Sequence, residues 1–216
     1  MSGSLVQTLI LLDWSQTLSV SRFWEPWFTS DDAALRDLAV RMAGAIFDRP
    51  NDLLDRWCLG EVSAEDVVAE VAVAAGIDPV LALEGLEASC RGMRFLSDDI
   101  LPMVEALRAR GVRVGIATDN MDTFTRWTVP ALGLDRWFDP ILNSSDLGAV
   151  KSGPLAGGRH PFFSDMLDGL EPGTQVYLVD DGGKTAPVAE AIGVTFCHVT
   201  PERDVVAWLQ EIASTR

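Results

Sequence analysis

Lysine is scarce in this sequence, in which Lys151 and Lys184 are the only two among 216 residues. Lysine and arginine together number 17 against 32 acidic residues, and the formal net charge is -15. Because such a negative field repels the phosphate backbone of DNA and RNA, nucleic acids are excluded as partners. Anionic substrates are also repelled at long range, so a phosphate-binding site would need a local source of positive charge.

Cysteine is also rare, and the three that occur, Cys58, Cys90 and Cys197, form no CxxC pair. An odd number of separated cysteines indicates free thiols in a reducing compartment rather than a set of disulfides. Long hydrophobic runs are missing too, because the apolar stretch 5–12 is too short to span a membrane and has no basic leader. We therefore expect a cytoplasmic protein that has no membrane partner.

The pattern of apolar residues divides the chain into a helical block and an alternating region. Residues 5–12 predict a buried strand, whereas residues 19–95 show helical periods without a strand signal. Within that block, Ser63 and Asp66 have the spacing of a helix capping box. From residue 97 onwards strand and helix signals alternate, with strands predicted at 112–117, 140–143, 175–179 and 194–199 and a last helix beginning at Thr200 and Pro201.

Alternating strands and helices predict the α/β class, here a Rossmann-like parallel sheet covered by helices on both faces with the first strand in its centre. The helical block separates the first strand from the rest of the series and is most simply an inserted cap. We therefore predict a core domain formed by residues 1–18 and 96–216, and a helical cap subdomain formed by residues 19–95.

Polar residues follow each predicted strand, and ligands bind beyond the carboxyl ends of parallel strands. The residues that follow the first four strands, in chain order, are Asp13 and Ser15, then Thr118, Asp119 and Asn120, then Lys151, and then Asp180 and Asp181. A carboxylate can attack phosphorus or carbon to form a covalent intermediate, and carboxylate oxygens are the ligands that Mg²⁺ prefers. A metal and a lysine together can neutralise the charge on a transferring phosphoryl group.

This order of motifs resembles the haloacid dehalogenase-like (HAD) superfamily over nearly the whole chain. The first family motif, a hydrophobic strand followed by Asp-x-Asp-x-Thr, reads Leu-Ile-Leu-Leu-Asp-Trp-Ser-Gln-Thr at residues 9–17. The second resembles Val-Gly-Ile-Ala-Thr, which ends at Thr118, and the third is Lys151 in Ala-Val-Lys-Ser-Gly-Pro. The fourth resembles Val-Tyr-Leu-Val-Asp-Asp-Gly-Gly-Lys-Thr at residues 176–185. A helical insertion after the first motif is similar to the cap of one large branch of this family.

The resemblance implies a hydrolase that acts on a small-molecule phosphate ester through an aspartyl-phosphate on Asp13. Asp13 and Asp181 would bind one Mg²⁺ together with the backbone carbonyl group of Ser15, and Asp180 would lie beside them. Thr118 and Lys151 would bind the phosphoryl group, with Asp119 and Asn120 next to the substrate. The sequence assigns no individual substrate and no oligomeric state.

Two positions depart from the family pattern. Ser15 replaces the second aspartate of the first motif, which is the general acid and base of family phosphatases. The second acid of the fourth motif falls at about Thr185, so the expected metal shell is thinner. Serine is a poor proton donor near neutral pH, and this substitution bears directly on the activity.

The altered motif leaves several activities open. A phosphohydrolase weakened by Ser15 ranks first, and a catalytically impaired protein that binds a phosphorylated ligand or partner ranks second. A 2-haloacid dehalogenase, which needs no second aspartate, ranks third. It would use an arginine for the halide, for which Arg22, Arg36 and Arg41 are candidates. Asp-Trp-Ser also resembles the Asp-Trp-Ala of phosphonoacetaldehyde hydrolases, but these need a cap lysine and residues 19–95 contain none.

Overall fold

A five-stranded parallel sheet with the order β3-β2-β1-β4-β5 forms the centre of the protein. The computed structural model describes residues 7–48 and 52–214. Every pair of neighbouring strands is parallel, and the predicted sheet with a central first strand is confirmed. The strands are β1 (Thr8–Leu12), β2 (Arg113–Thr118), β3 (Ile141–Asn143), β4 (Gln175–Asp180) and β5 (Thr195–His198).

The central strand β1 is buried along its whole length. Successive side chains of a strand point to opposite faces of the sheet. Accordingly, Ile10 and Leu12 pack in one apolar cluster, whereas Leu9 and Leu11 pack in a second cluster on the other face. Full burial of each such side chain contributes about 1.5–3 kcal/mol to stability. Apolar packing on both faces therefore fixes the position of β1, which Asp13 directly follows.

Helices fill the chain between β1 and β2, and no strand occurs in the described residues of this segment, 13–48 and 52–112. Helix α4 begins with the predicted capping box, in which the hydroxyl of Ser63 accepts from the backbone N–H of Asp66 and the Asp66 carboxylate accepts from the backbone N–H of Ser63. The helices are α1 (Glu25–Phe28), α2 (Ala33–Phe47), α3 (Leu53–Cys58), α4 (Ala64–Ala75), α5 (Pro79–Arg91) and α6 (Ile100–Ala109). The division of the chain into a core domain and a cap domain stays a prediction.

Shorter helices cover the sheet after β2. A π-helical turn at Phe124–Thr128 precedes the next α-helix, and 3-10 turns occupy Leu134–Arg136 and Gly183–Thr185. The remaining helices are α7 (Val129–Leu132), α8 (Ser144–Leu147), α9 (Ser164–Asp168), α10 (Ala186–Ala191) and α11 (Val205–Ser214). In the part of the chain that the structure describes, no helix has both the length and the apolar character that crossing a membrane requires.

Two expectations about element ends differ from the structure. The last helix begins at Val205, not at Thr200, because Thr200 and Arg203 exchange two backbone hydrogen bonds of 3.0 Å and form a turn. The side chain of Asp204 then accepts from the backbone N–H of Ala207 at 2.9 Å, as a helix cap does. The first strand begins at Thr8, and residues 5 and 6 of its predicted range lie outside the described residues.

Candidate active site

The carboxyl ends of β1, β2 and β4 bring three of the predicted side chains to one edge of the sheet. Thr118 and Asp180 are the last residues of β2 and β4, and Asp13 directly follows β1. The backbone N–H of Asp13 donates to the carbonyl oxygen of Val179 at 2.9 Å, so the pairing of β1 with β4 continues as far as Asp13. The parallel arrangement therefore places these groups next to one another.

Lys151 bridges two buried carboxylates at this edge. Its Nζ atom lies 2.7 Å from Oδ1 of Asp13 and 2.6 Å from Oδ2 of Asp180. The side chains of Lys151, Asp13 and Asp180 are only 4%, 6% and 2% exposed, so solvent screens these ion pairs weakly. The backbone N–H of Lys151 also donates to Oδ1 of Asp119 at 2.8 Å, which anchors the loop that carries the lysine.

Burial and neighbouring charges shift the ionisation of these groups. Burial raises the pKa of Asp13 to about 7, with Lys151 opposing the shift and Asp180 adding to it. Burial works to lower the pKa of Lys151, but the carboxylates around it outweigh burial and hold that pKa above its ordinary value. Lys151 is therefore charged at neutral pH, while the Asp13 carboxyl group is only partly ionised. Burial also raises the pKa of Asp119 and of Asp181.

Asp13, Asp180 and Asp181 offer carboxylate oxygens that all lie within 4.8 Å of one another. Asp13 and Asp180 are buried, whereas Asp181 is partly exposed and gives the cluster an opening to solvent. When all three carboxyl groups are ionised, the ammonium group of Lys151 leaves two negative charges uncompensated, which one divalent cation would balance. An all-oxygen donor set is the kind that Mg²⁺ prefers. These residues therefore fit the predicted magnesium ion.

Thr118 lies at the same edge of the sheet, and its side-chain hydroxyl is able to form a further hydrogen bond. Its side chain is fully buried, and within the described residues its hydroxyl has no partner with normal hydrogen-bond geometry. The hydroxyl is nevertheless close enough to Asp13 to help lower the pKa of that carboxyl group. An unsatisfied buried hydroxyl costs about 1–3 kcal/mol, and the oxygen of a bound anion could satisfy it. The contact between Thr118 and a phosphoryl group stays a prediction.

Two cavities meet at the end of β1, and Ser15 and Asp119 line both of them. The first, the carboxylate cavity, has a volume of about 400 Å³ and contains Asp13, Lys151, Asp180 and Asp181. The second, the apolar cavity, has a volume of about 290 Å³. Its lining residues are Trp14, Ser15, Gln16, Ser21, Arg22, Phe23, Phe28, Ala43, Phe47, Met93, Asp119, Asn120 and Met121.

Not every predicted site residue faces the carboxylate cavity. Asn120 lines the apolar cavity, and its Oδ1 atom accepts from the backbone N–H of Met121 at 2.9 Å, which is a turn-stabilising contact. Lys184 also lines the carboxylate cavity, although no role in the site was predicted for it from the sequence. Its place within the fourth motif, three residues after Asp181, was the available signal.

Of the candidate arginines, Arg22 lies in the apolar cavity. Its Nε atom is 3.2 Å from Oε2 of Glu25, and its guanidinium carbon is 4.6 Å from the centre of the Phe28 ring. Arg36 and Arg41 instead donate to the backbone carbonyl oxygens of Ser30 and Ala75. The sequence therefore offers three arginines, and the structure places one of them beside the site.

A family model described as haloacid dehalogenase-like hydrolase matches residues 20–193 of the chain. A structure of a predicted HAD-like family hydrolase from Porphyromonas gingivalis is 19% identical, with a TM-score of 0.67 and coverage of 98% of both chains. A HAD family enzyme from Bacteroides thetaiotaomicron, in complex with magnesium and inorganic phosphate, is 12% identical, with a TM-score of 0.64 and coverage of 92% of this chain and 96% of that one.

A third similar structure is L-2-haloacid dehalogenase from Xanthobacter autotrophicus with chloropropionic acid covalently bound. It is 13% identical, has a TM-score of 0.62, and the match covers 97% of this chain and 83% of that one. Among curated proteins none matches the sequence significantly. At these identities the structural likenesses show a shared fold, whereas the family model matches most of the sequence itself. The chain therefore belongs to the haloacid dehalogenase-like hydrolase family.

Proposed function

We propose that the protein is a magnesium-dependent phosphohydrolase that forms an aspartyl-phosphate on Asp13. The observation that carries this proposal is the cluster of Asp13, Asp180 and Asp181 around the ammonium group of Lys151. It combines a nucleophile, a set of oxygen ligands and a buried cation at one edge of the sheet. The complex of the Bacteroides thetaiotaomicron enzyme with magnesium and phosphate, although that enzyme is only 12% identical, gives indirect support.

The proposed reaction has two displacements at phosphorus. In the first, a carboxylate oxygen of Asp13 bonds to phosphorus as the bond to the ester oxygen breaks, and the leaving group departs with the electron pair. In the second, water attacks the aspartyl-phosphate, its oxygen bonds to phosphorus, and the Asp13 carboxylate is released with inorganic phosphate. A bound Mg²⁺ would supply charge neutralisation at the phosphoryl oxygens.

The side chains of this chain have distinct tasks in that scheme. Lys151 holds the Asp13 carboxylate at 2.7 Å and places positive charge where the phosphoryl oxygens would collect. The unpartnered hydroxyl of Thr118 is available to donate to one of those oxygens. Asp119 accepts from the backbone of Lys151 and so keeps the lysine loop in place.

The free thiols of Cys58, Cys90 and Cys197 support the further proposal that the protein works in the cytoplasm.

Ser15 leaves the leaving group without the usual proton donor. An aryl oxide departs as a fairly stable anion, whereas an alkyl oxide needs a proton, and general acid catalysis is worth roughly 10²–10⁴-fold in rate. We expect activity on aryl phosphates and almost none on alkyl phosphates. Ser15 is exposed and lines both cavities, so a larger side chain at this position has room to extend.

The test compares wild type with Ser15→Asp on one aryl and one alkyl phosphate in the presence of magnesium. The aspartate variant should raise alkyl phosphate turnover, and it should also speed the slow phase after an initial burst of phenol. Ser145→Asp, a change at another serine, serves as the matched control. Brisk hydrolysis of alkyl phosphates by wild type would mean that a different residue is the acid. If no phosphate ester is turned over and no burst appears, the phosphohydrolase proposal is wrong.

A dehalogenase is the second candidate because Arg22 lines the apolar cavity next to Asp13. In that reaction a carboxylate oxygen of Asp13 would bond to carbon as halide leaves, and an arginine would bind the halide. Halide release from a 2-haloacid that persists after EDTA treatment would support this candidate. Phosphate release that stops with EDTA would support the phosphohydrolase. Retained vanadate binding with neither release would favour a non-catalytic protein that binds phosphorylated ligands.

A further inference from the structure

The apolar cavity has no task in the phosphoryl chemistry, although it opens beside the nucleophile. Trp14, the residue after Asp13, forms part of its wall and is held by Phe95 and Phe124, whose ring centres are 5.5 and 5.4 Å away. Three more aromatic residues line the cavity. Phe23 lies in the chain before α1, Phe28 is the last residue of α1, and Phe47 is the last residue of α2. The cavity is therefore largely aromatic and is built in part from buried, well-packed rings.

The charged groups of this cavity already have partners. Arg22 pairs with Glu25 and stacks on Phe28, and Asp119 accepts from the backbone of Lys151. Burial also raises the pKa of Asp119, because it disfavours the charged form of the carboxyl group. A charged ligand group would have to displace these contacts, whereas an uncharged ring would lie against aromatic and thioether side chains, which favour such contacts.

The volume of the cavity and the exposure of its rim further limit the kinds of ligand that fit it. An apolar cavity of about 150 Å³ is large enough to bind benzene, and this one has about 290 Å³. It therefore has room for two fused rings. Phe47 at its rim is 49% exposed, so a ring bound there would remove apolar surface from water.

We propose that the apolar cavity binds the leaving group of the substrate, and that the substrate is a monophosphate ester of an aromatic alcohol of about two rings. The substrate class rests on the proposed phosphohydrolase function. Ser15 and Asp119 line both cavities and mark where the phosphoryl group would join the ring. The assignment of the leaving group to the apolar cavity does not depend on the missing proton donor at Ser15, because it is argued only from the volume of the cavity and the residues that line it.

The test variant is Ala43→Leu, which adds a branched side chain to the cavity wall from helix α2. Ala34→Leu makes the same change on an exposed face of the same helix and is the matched control. Phe47→Ser removes part of the wall at an exposed position, so it provides a second test if Ala43→Leu does not fold. The measurements are calorimetric binding of 2-naphthol and kcat/KM for 2-naphthyl, phenyl and acetyl phosphate with magnesium.

We expect wild type to bind 2-naphthol and to prefer 2-naphthyl phosphate over phenyl phosphate by roughly tenfold or more, the size of effect that apolar pocket contacts give. Ala43→Leu and Phe47→Ser should remove most of this preference and weaken naphthol binding. The ratio of 2-naphthyl phosphate turnover to acetyl phosphate turnover should fall in both variants, because the acetyl leaving group is too small to fill the cavity. Ala34→Leu should behave as wild type.

Two results would overturn the inference in different ways. The leaving-group assignment is wrong, and the phosphohydrolase proposal stands, if acetyl phosphate is hydrolysed but 2-naphthol does not bind. The same conclusion follows if the variants lower kcat/KM equally for all three substrates. If 2-naphthol binds in an Ala43-dependent manner but no phosphate is released from any substrate, the phosphohydrolase is wrong. The proposed substrate class is then withdrawn with it.

Discussion

Replacing Lys151 with methionine removes the cation that lies between the buried carboxylates of Asp13 and Asp180 while keeping a side chain of similar length. At 2.7 and 2.6 Å, and with an effective dielectric constant of about 20, each ion pair has a Coulomb energy of about 6 kcal/mol before desolvation is counted. Burying three charged groups offsets most of that energy. Removing one partner of a buried pair costs about 3–5 kcal/mol in free energy of unfolding, which is the loss that we expect.

The loss should depend on pH in a defined direction. The pKa of Asp13 is already raised to about 7, and removing Lys151 removes the largest influence that lowers it. A carboxyl group whose pKa is raised by folding holds more protons in the folded than in the unfolded state between its two pKa values. Its contribution to stability therefore grows as the pH falls from neutrality towards the unfolded value. The penalty of Lys151→Met should accordingly shrink in mildly acidic buffer.

Urea denaturation of metal-free wild type, Lys151→Met and Lys184→Met, at neutral and at mildly acidic pH, measures these effects. Lys184 lines the same cavity but is exposed, so its replacement should leave the unfolding midpoint nearly unchanged. Vanadate binding at neutral pH should likewise weaken much more in Lys151→Met than in Lys184→Met. Equal stability losses and equal vanadate affinities in the two variants would refute the assignment of Lys151 as the central cation of the site.

Three further measurements probe other parts of the site. Asp13→Ala and Asp181→Ala should each weaken magnesium binding in calorimetry, whereas exposed Asp135→Ala should not, and unchanged affinity in both would show that the metal site is misassigned. Magnesium affinity of wild type should fall as the pH drops below about 7, because protonated Asp13 is a poor ligand, and a flat profile would contradict this role. Asp122→Ala should lower the free energy of unfolding by about 1–3 kcal/mol, because the indole N–H of buried Trp57 loses its acceptor at 2.7 Å. A midpoint in urea like that of Asp135→Ala would count against this reasoning.

The sequence was sufficient to predict which residues lie together in the candidate site, because parallel strands end at one edge of a sheet. That rule alone brings Asp13, Thr118 and Asp180 together, and the scarcity of lysine singles out Lys151. The capping box at Ser63 was also recognisable, since it depends on local spacing. Local sequence patterns thus allow a correct prediction when folding only has to bring the residues of those patterns close together.

The apolar cavity could not be predicted in the same way. Helical periodicity shows that a helix has an apolar side, but it does not show which of those side chains meet other elements and which line a space. Phe23 and Phe28 line the cavity, whereas Trp24, between them, is fully buried and donates its indole N–H to the carbonyl oxygen of Ala82. The difference depends on how the helices pack, which is a property of the whole chain.

The strand order has a consequence for synthesis of the protein on the ribosome. Asp13 and Lys151 are 138 residues apart, and β1 pairs with β2 and β4, which both lie beyond the long helical segment that follows β1. At about 5–20 residues per second, β1 would wait roughly 10–30 s for β4 after leaving the ribosome. Until β2 has been made, this strand has neither of its partners, and until β4 has been made it has only one, although all five of its residues are buried in the finished protein. The nascent chain therefore carries an apolar strand with an unpaired edge while the rest of the sheet is still being made, and such edges favour aggregation.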